Sequence, residues 1–344
     1  MVTIGIDAHK RSHTAVVVDE HGLKLAQRTS GTTSPEHLEL VAWAATHARE
    51  RVWAVEDCRH LSRRLERDLI ACGERILRVP PKLMANARDG ARTYGKSDPI
   101  DALAVARAAL REPLLPVARL DGADRELRLL VDHRDDLVCE RTRMINRLRW
   151  HLHELDPACE PAPGSLKRVR TLERLAAALE GMEGLVARLA RELVERCEKL
   201  TLEIRSLEHE ITARVSTLAP SLLAICGCGP LTAAKIVGET AGVERFRSAA
   251  AYARHNGTAP LLVSSANRSR HRLSRTGNRQ LNAAIYRIAL TQSHWHPEAK
   301  VMMARRKAQG DSGREALRVL KRRLSDVVYR ALKADAAAQL PLAA

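Results

Sequence analysis

The chain has 344 residues, 45% of them hydrophobic and 28% charged, a mixture that folds into globular domains and excludes a disordered chain. No apolar run approaches the roughly 20 residues of a membrane span, and Met1-Val-Thr-Ile-Gly5 carries no basic head before an apolar stretch, so neither a membrane nor a secreted protein is expected. Lys and Arg outnumber Asp and Glu by 57 to 41, and the segment from Arg245 to Lys333 alone holds 20 basic against 4 acidic residues, so the entire excess of +16 sits there. So one-sided a charge is expected on a surface that meets a polyanion, with nucleic acid favoured over a solvated face. The seven cysteines are odd in number and scattered, with no CxxC pair. That pattern predicts reduced cytoplasmic thiols and neither a disulfide framework nor a zinc module.

Thr3-Ile-Gly-Ile-Asp7, His13–Asp19 and Leu23–Arg28 read as three strands, with His21-Gly22 as the turn between the last two. Ser34 before Pro35 predicts a helix start, with Ser34 as the N-cap. Arg51–Glu56 is a fourth strand, a helix follows from about Leu61 to Cys72, and Arg75–Val79 is a fifth strand that ends at Pro80-Pro81. A further helix starts near Asp98. A three-strand meander followed by alternating helices and strands predicts a mixed α/β sheet. From Glu126 to Leu155 the pattern is helical, Pro157, Pro161, Pro163 and Gly164 interrupt it, and Leu172–Leu218 is helical again. Leu189, Leu193, Leu200, Ile204, Leu207, Ile211 and Leu218 suggest a long helical hairpin, either a coiled coil between subunits or a bundle within one. After Pro220, short helices are expected. There Ile225-Cys-Gly227-Cys-Gly229-Pro suits a helix–hairpin–helix turn whose amides meet a phosphate, although a plain tight turn serves nearly as well. The predicted organisation is α/β plus all-α: residues 1–115, a helical hairpin over 122–218 and a helical domain over 219–335.

Four acids stand out. Asp7 and Glu56 end apolar strands, and Asp98 and Asp101, three apart, share a helix face. A carboxylate at the end of a buried strand is costly unless paired or metal-bound. Clustered carboxylates repel one another, and hard divalent cations such as Mg²⁺ or Mn²⁺ relieve that repulsion. Capping is the ordinary reading of Asp98 and Asp101, a turn that of Asp7, and Asp57 competes with Glu56.

Gly5-Ile-Asp7-Ala-His-Lys10, Val55-Glu56-Asp-Cys58 and Lys96-Ser-Asp98-Pro-Ile-Asp101-Ala102 resemble the DEDD transposases of the insertion sequence 110 family. The resemblance implies a RuvC-type, RNase H-like N-terminal domain whose metal-binding tetrad is Asp7, Glu56, Asp98 and Asp101. It also implies a serine loop in the C-terminal domain, followed by a basic stretch. This sequence reads Val263-Ser264-Ser265-Ala266-Asn-Arg268-Ser-Arg270-His-Arg272-Leu-Ser274-Arg275-Thr-Gly277-Asn278-Arg279. Ala266 stands where the family usually has Gly, which allows a positive φ. Ser265 is favoured as the nucleophile, with Ser264 as its rival. Arg268, Arg270, Arg272, Arg275 and Arg279 could hold a phosphate and the charge that develops on it. The basic runs Arg305–Lys307 and Lys321–Arg323 could contact nucleic-acid backbones.

The resemblance further implies cleavage and rejoining of donor and target double-stranded DNA through a phosphoserine, with Mg²⁺ or Mn²⁺ at the tetrad. A structured noncoding guide RNA that bridges the two DNAs, dimers assembling into tetramers, and a prokaryotic, nucleoid-associated location complete what it implies. Two rivals remain at this level: a metal-dependent junction endonuclease in which water attacks, and a non-catalytic nucleic-acid-binding protein.

Overall fold

The computed structural model describes the chain apart from residues 58, 82, 85–96, 114, 121, 266–267, 273–276 and 340–344. It also leaves undescribed the side chains of residues 59, 60, 264, 265 and 268–272. The chain divides into two compact units, Met1–Asp121 and Gly122–Ala344.

The first unit is built on strands β1 (Val2–Ala8), β2 (His13–Val18), β3 (Lys24–Ser30), β4 (Arg51–Glu56) and β5 (Ile76–Val79). Their order is β3-β2-β1-β4-β5, with β1, β2 and β3 antiparallel and β4 and β5 parallel to β1. An antiparallel meander continued on its other side by parallel strands is the RNase H-like arrangement expected from the sequence. Every residue of β1 and β2 is buried, so these central strands read as near-continuous Val/Ile runs without alternation. The edge strand β3 does alternate between exposed and half-buried positions.

Helices α1 (Ser34–Ala45), α2 (Arg59–Ala71) and α3 (Asp98–Arg111) cover the sheet. Ile4, Ile6, Ala15, Val17, Trp53 and Val55 form one core with Leu40 and Ala44 of α1 and Leu65 and Leu69 of α2. On the opposite face, Val16 and Val18 pack on Ala102 and Ala106 of α3, and Ala54 packs with Ala104, Val105 and Ala108. The start of α1 differs by one residue from the expected N-cap. Thr33 caps the helix, its N–H and Oγ1 donating to the Glu36 carboxylate at 2.9 and 2.6 Å. A Thr-x-x-Glu box satisfies two groups at once, which Ser34 before Pro35 does not offer.

The second unit opens with two long helices, α4 (Ala123–Leu155) and α6 (Leu185–Leu218), with α5 (Val169–Glu180) between them. Arg214–Glu126, Arg134–Glu208 and Arg196–Glu140 pair in opposite chain order, so α4 and α6 run antiparallel. The continuous helix expected over Leu172–Leu218 is broken between α5 and α6, where Gly184 adopts φ +97°. The buried row of α6 is Ala187, Ala190, Val194, Cys197, Leu200, Ile204, Ile211 and Val215, and only three residues of the expected leucine/isoleucine row belong to it. Beyond lie α7 (Pro220–Leu223), α8 (Pro230–Thr240), α9 (Ala249–His255), α10 (Arg279–Trp295), α11 (Pro297–Ala308) and α12 (Gly313–Gln339). A two-stranded sheet, β6 (Leu261–Ser265) and β7 (Arg268–Arg272), is set among these helices where only a loop was expected. Leu127, Val131, Ile211 and Val215 join residues of α8, α10 and α12 in one core. Among the described residues no helix is long and apolar enough to cross a membrane.

One feature of the sheet core titrates. His13 is 1% exposed, its Nδ1 has no partner, and its ring lies 5.2 Å from that of His37. Burial, then the neighbouring His37 and His9, lower its pKa to about 4. Because the folded value lies below the ordinary 6.5, the unfolded chain binds the proton first, and stability falls as pH drops from about 6.5 towards 4. The loss is expected to be of the order of 3 kcal/mol. His13→Leu should flatten that part of the pH–stability curve, as measured by urea denaturation between pH 4 and 7.

Candidate functional site

The sheet faces decide where the acids meet. Ile6 pairs with Val55, and both belong to the core under α1 and α2. The next residues, Asp7 and Glu56, therefore fall on the opposite face, the one α3 covers, at neighbouring strand ends. The close approach of α3 depends on Gly5. A Cβ there would lie 2.0 Å from the Ala102 carbonyl oxygen and 2.6 Å from the Ala106 nitrogen. With backbone resting on backbone, the first turn of α3 arrives at the end of β1. Asp98 and Asp101 occupy that turn, Asp98 exposed and Asp101 buried.

Ser97 stands in the N-cap position of α3 without a side-chain cap hydrogen bond, so Asp98 is the first helical residue and not the cap. Carboxylates in a first turn meet the positive end of the helix dipole, which offsets part of their mutual repulsion. Asp7 is 8% exposed. Burial raises its pKa, His9 opposes that rise by charge and hydrogen bond, and Asp101 and Asp98 add to it.

Among the described residues, Asp7, His9 and Asp98 form the group whose ligand atoms all lie within 4.8 Å of one another. His9 Nε2 is 3.0 Å from Asp7 Oδ2 and 3.5 Å from Asp98 Oδ1. Of the expected tetrad, Asp7 and Asp98 are thus brought together and Asp101 is close enough to act on Asp7. Glu56 sits half-buried at the adjacent strand end, outside that group. Sequence reasoning missed His9, although the spacing Asp7-x-His9 held the signal: residues two apart at a strand end lie on one face.

The other expected site residues lie in the second unit. Ser264 and Ser265 end β6, so they stand on a strand and not in a loop. Ser265 pairs with Arg268, Val263 with Arg270 and Leu261 with Arg272. In a period of two, Ser265 and the three arginines occupy one row of the hairpin, and Ser264 the other row with Ser269 and His271. Arg275 and Ala266 lie outside the described residues. Arg279 is the exposed first residue of α10. Gly227 has φ +84°, and a Cβ there would meet Thr291 at 2.9 Å, so this glycine serves packing against α10. Gly229 is the exposed N-cap of α8.

A partly buried polar network ties together the segments before β6 and at the start of α10. Asn256, fully buried, donates from Nδ2 to Ser325 Oγ at 2.7 Å and accepts at Oδ1 from the Thr258 N–H at 3.0 Å. Asn282 donates to the Asn256 carbonyl at 2.8 Å and accepts from Lys321 Nζ at 2.7 Å. Asn278 caps α10, donates to Glu239 at 2.5 Å, and its backbone N–H reaches the His255 carbonyl at 2.7 Å. Gly277, at φ +104°, lets that crossing occur, since a Cβ would lie 2.7 Å from the same carbonyl.

Two family models match the chain. Residues 4–157 match the model of IS110-type DEDD proteins described as "Transposase". Residues 219–303 match "Transposase IS116/IS110/IS902 family". Between them they cover more than two thirds of the chain. The chain belongs to the IS110 transposase family. This transposase is 28% identical to an uncharacterized 44.8 kDa protein of insertion element IS116 from Streptomyces clavuligerus, covering 96% of this chain and 94% of that one. It is 27% identical to the 42 kDa protein of insertion element IS900 from Mycobacterium paratuberculosis, covering 96% of each. A Thermus thermophilus RuvC structure, in complex with a Holliday junction substrate, aligns over 34% of this transposase and 99% of that chain at 16% identity and TM-score 0.28. The RNase H-like assignment rests on the strand order and not on that likeness. As a member of its family the protein is a DNA transposase, an enzyme.

Two substitutions test this architecture. Gly5→Val should destabilise the first unit by about 3 kcal/mol or prevent its folding, because the side chain is driven into α3 backbone; a denaturant midpoint measures it. Asn256→Leu should cost the second unit about 2–3 kcal/mol, as it leaves the buried Ser325 hydroxyl without its donor and removes the Oδ1 acceptor shared by the Thr258 N–H and Oγ1. The same denaturation assay detects that loss.

Proposed function

We infer that this transposase cuts and rejoins DNA through a covalent phosphoserine, with a divalent cation, Mg²⁺ or Mn²⁺, held by the acidic cluster. Asp7, Asp98 and Asp101 would hold it, with Glu56 at the neighbouring strand end completing the set. The observation that carries the reading is the gathering of Asp7 and Asp98 within ligand distance at the first turn of α3, with Asp101 beside them, in a chain of this family. Hard carboxylate oxygens fit such an ion. Bound there, the ion supplies positive charge against a scissile phosphate.

The reaction assigns the serine a simple role. The Oγ–H bond breaks, an Oγ–P bond forms, the bond from phosphorus to the sugar oxygen breaks, and the proton ends on that oxygen. Serine needs help to attack. The register supports Ser265 as the nucleophile, because it shares the arginine row of the hairpin, where Arg268, Arg270 and Arg272 could hold the phosphate by charge-assisted hydrogen bonds. Ser264, in the other row, is the rival nucleophile. Arg275, Arg279 and the turn at Gly227 and Gly229 extend the nucleic-acid surface in this reading. The concentration of basic residues from Arg245 to Lys333 supports a polyanion along it.

Donor and target DNA bridged by a structured noncoding RNA, and a homodimer or tetramer as the working assembly, belong to the same reading. The resemblance to the family carries both. A cytoplasmic, nucleoid-associated location follows from the same proposal.

The test is a suicide DNA substrate that traps the protein–DNA adduct, followed by peptide mapping. The wild type should yield an adduct on Ser265. Ser265→Ala should lower adduct formation by at least about 1,000-fold, within the range seen when a nucleophile is removed. Asp7→Asn and Asp98→Asn should each abolish cleavage while DNA binding persists. An adduct on Ser264 would move the nucleophile by one residue. Cleavage that survives Ser264→Ala/Ser265→Ala would replace this reading by a water-attacking endonuclease.

A further inference from the structure

We propose that His9 is a ligand of the cation site, and that its imidazole nitrogen makes the site prefer Mn²⁺ to Mg²⁺. The proposal rests on the reading of the acidic cluster as a divalent-cation site and adds to it a nitrogen donor and a metal preference.

The distances fit one ion. Two donors at about 2.1 Å from a metal and at right angles to each other stand about 3.0 Å apart, and at the tetrahedral angle about 3.4 Å. His9 Nε2 stands 3.0 Å from Asp7 Oδ2 and 3.5 Å from Asp98 Oδ1. Those are the separations of ligands on one ion, reached with a nitrogen and two carboxylate oxygens from two different elements, β1 with its turn and the start of α3.

The placement of His9 is built into the turn. The His9 N–H donates to the Ser12 carbonyl at 3.0 Å, closing the turn between β1 and β2 immediately after Asp7. From that turn the ring reaches back to Asp7 and Asp98 while half of it stays open to solvent. The His9 side chain is 49% exposed and that of Asp98 54%, so an ion and a phosphate can both reach the group. A hydrogen bond to Asp7 alone would explain the shorter contact. It does not explain why the same nitrogen also stands within reach of Asp98.

Donor chemistry sets the preference. Mg²⁺ holds to oxygen ligands and water in strict octahedra, whereas first-row transition ions accept imidazole nitrogen readily. Three aspartates and a glutamate alone would leave Mg²⁺ and Mn²⁺ little distinguished. One imidazole among them tips the choice to Mn²⁺.

The experiment is Mn²⁺ titration of the full chain by electron paramagnetic resonance, with pulsed measurements of nitrogen coupling on the bound ion and Mg²⁺ affinity by competition. The wild type should show a ¹⁴N coupling typical of imidazole. His9→Ala should remove that coupling and weaken Mn²⁺ binding by about 10-fold, while changing Mg²⁺ binding by less than about 3-fold. His9→Asn, which keeps polarity but offers no imidazole, should behave like His9→Ala. Bound Mn²⁺ without nitrogen coupling, or coupling that survives His9→Ala, overturns the proposal. Asp7→Asn separates it from the reading beneath: it should abolish Mn²⁺ binding, and if the wild type binds no Mn²⁺, or Asp7→Asn binds it as well as the wild type, the cation site itself is refuted.

Discussion

The contact on which the first unit depends is the meeting of two backbones at Gly5. With no Cβ in the way, the carbonyl of Ala102 and the nitrogen of Ala106 come within distances that any side chain would forbid. The alanines of α3 repeat the same economy along the helix, where Ala102, Ala104, Ala106, Ala108 and Ala109 are all buried. A helix so close to the sheet must begin beside the end of β1, and its first turn must carry whatever residues stand there. They are Asp98 and Asp101. The acidic cluster is thus a consequence of small residues as much as of acids.

That cluster works against stability. Asp7 is buried and its pKa is raised, so its charge is held at a cost that Asp98 and Asp101 increase. Two things reduce the cost within the chain: the positive end of the α3 dipole and the His9 contact. Neither removes it. A cluster that stays under mutual repulsion in the free chain is one whose charge a cation or a basic partner can relieve.

Much of the first unit was legible in the sequence because its signals were strong and local. Strands of Val and Ile, the His21-Gly22 turn and the Pro99 at a helix start point to the same elements that form. The alternation that separates Asp7 from Ile6 follows from pleat geometry alone. What the sequence hid was relational. The spacing Asp7-x-His9 could hint at a shared face, but the 3.5 Å approach of His9 to a helix 89 positions away could not be read from it. The cap of α1 fell to Thr33 because a carboxylate three residues on outweighed the preference for Ser before Pro. The break at Gly184 was masked by helical leucines on both sides. The β6–β7 hairpin was unreadable because Ser-Ser-Ala-Asn and a run of arginines carry little strand propensity, and only pairing reveals it.

The hairpin poses the opposite problem to the cluster. Two strands alone are marginal in water, and Leu261 and Leu262 at the base of this pair are 39% and 64% exposed. Polar contacts fix the backbone on either side of it. Asn256, Asn278 and Asn282 supply them through bonds that leave none of their partners in that network unmet: Ser325, Thr258, Glu239, Lys321 and the carbonyls of His255 and Asn256. A buried amide such as that of Asn256 is costly unless every group is matched, and fully matched it admits one arrangement where an apolar contact would admit several. Hydrogen bonds of fixed direction set the backbone that flanks the hairpin more narrowly than an apolar contact of equal energy would.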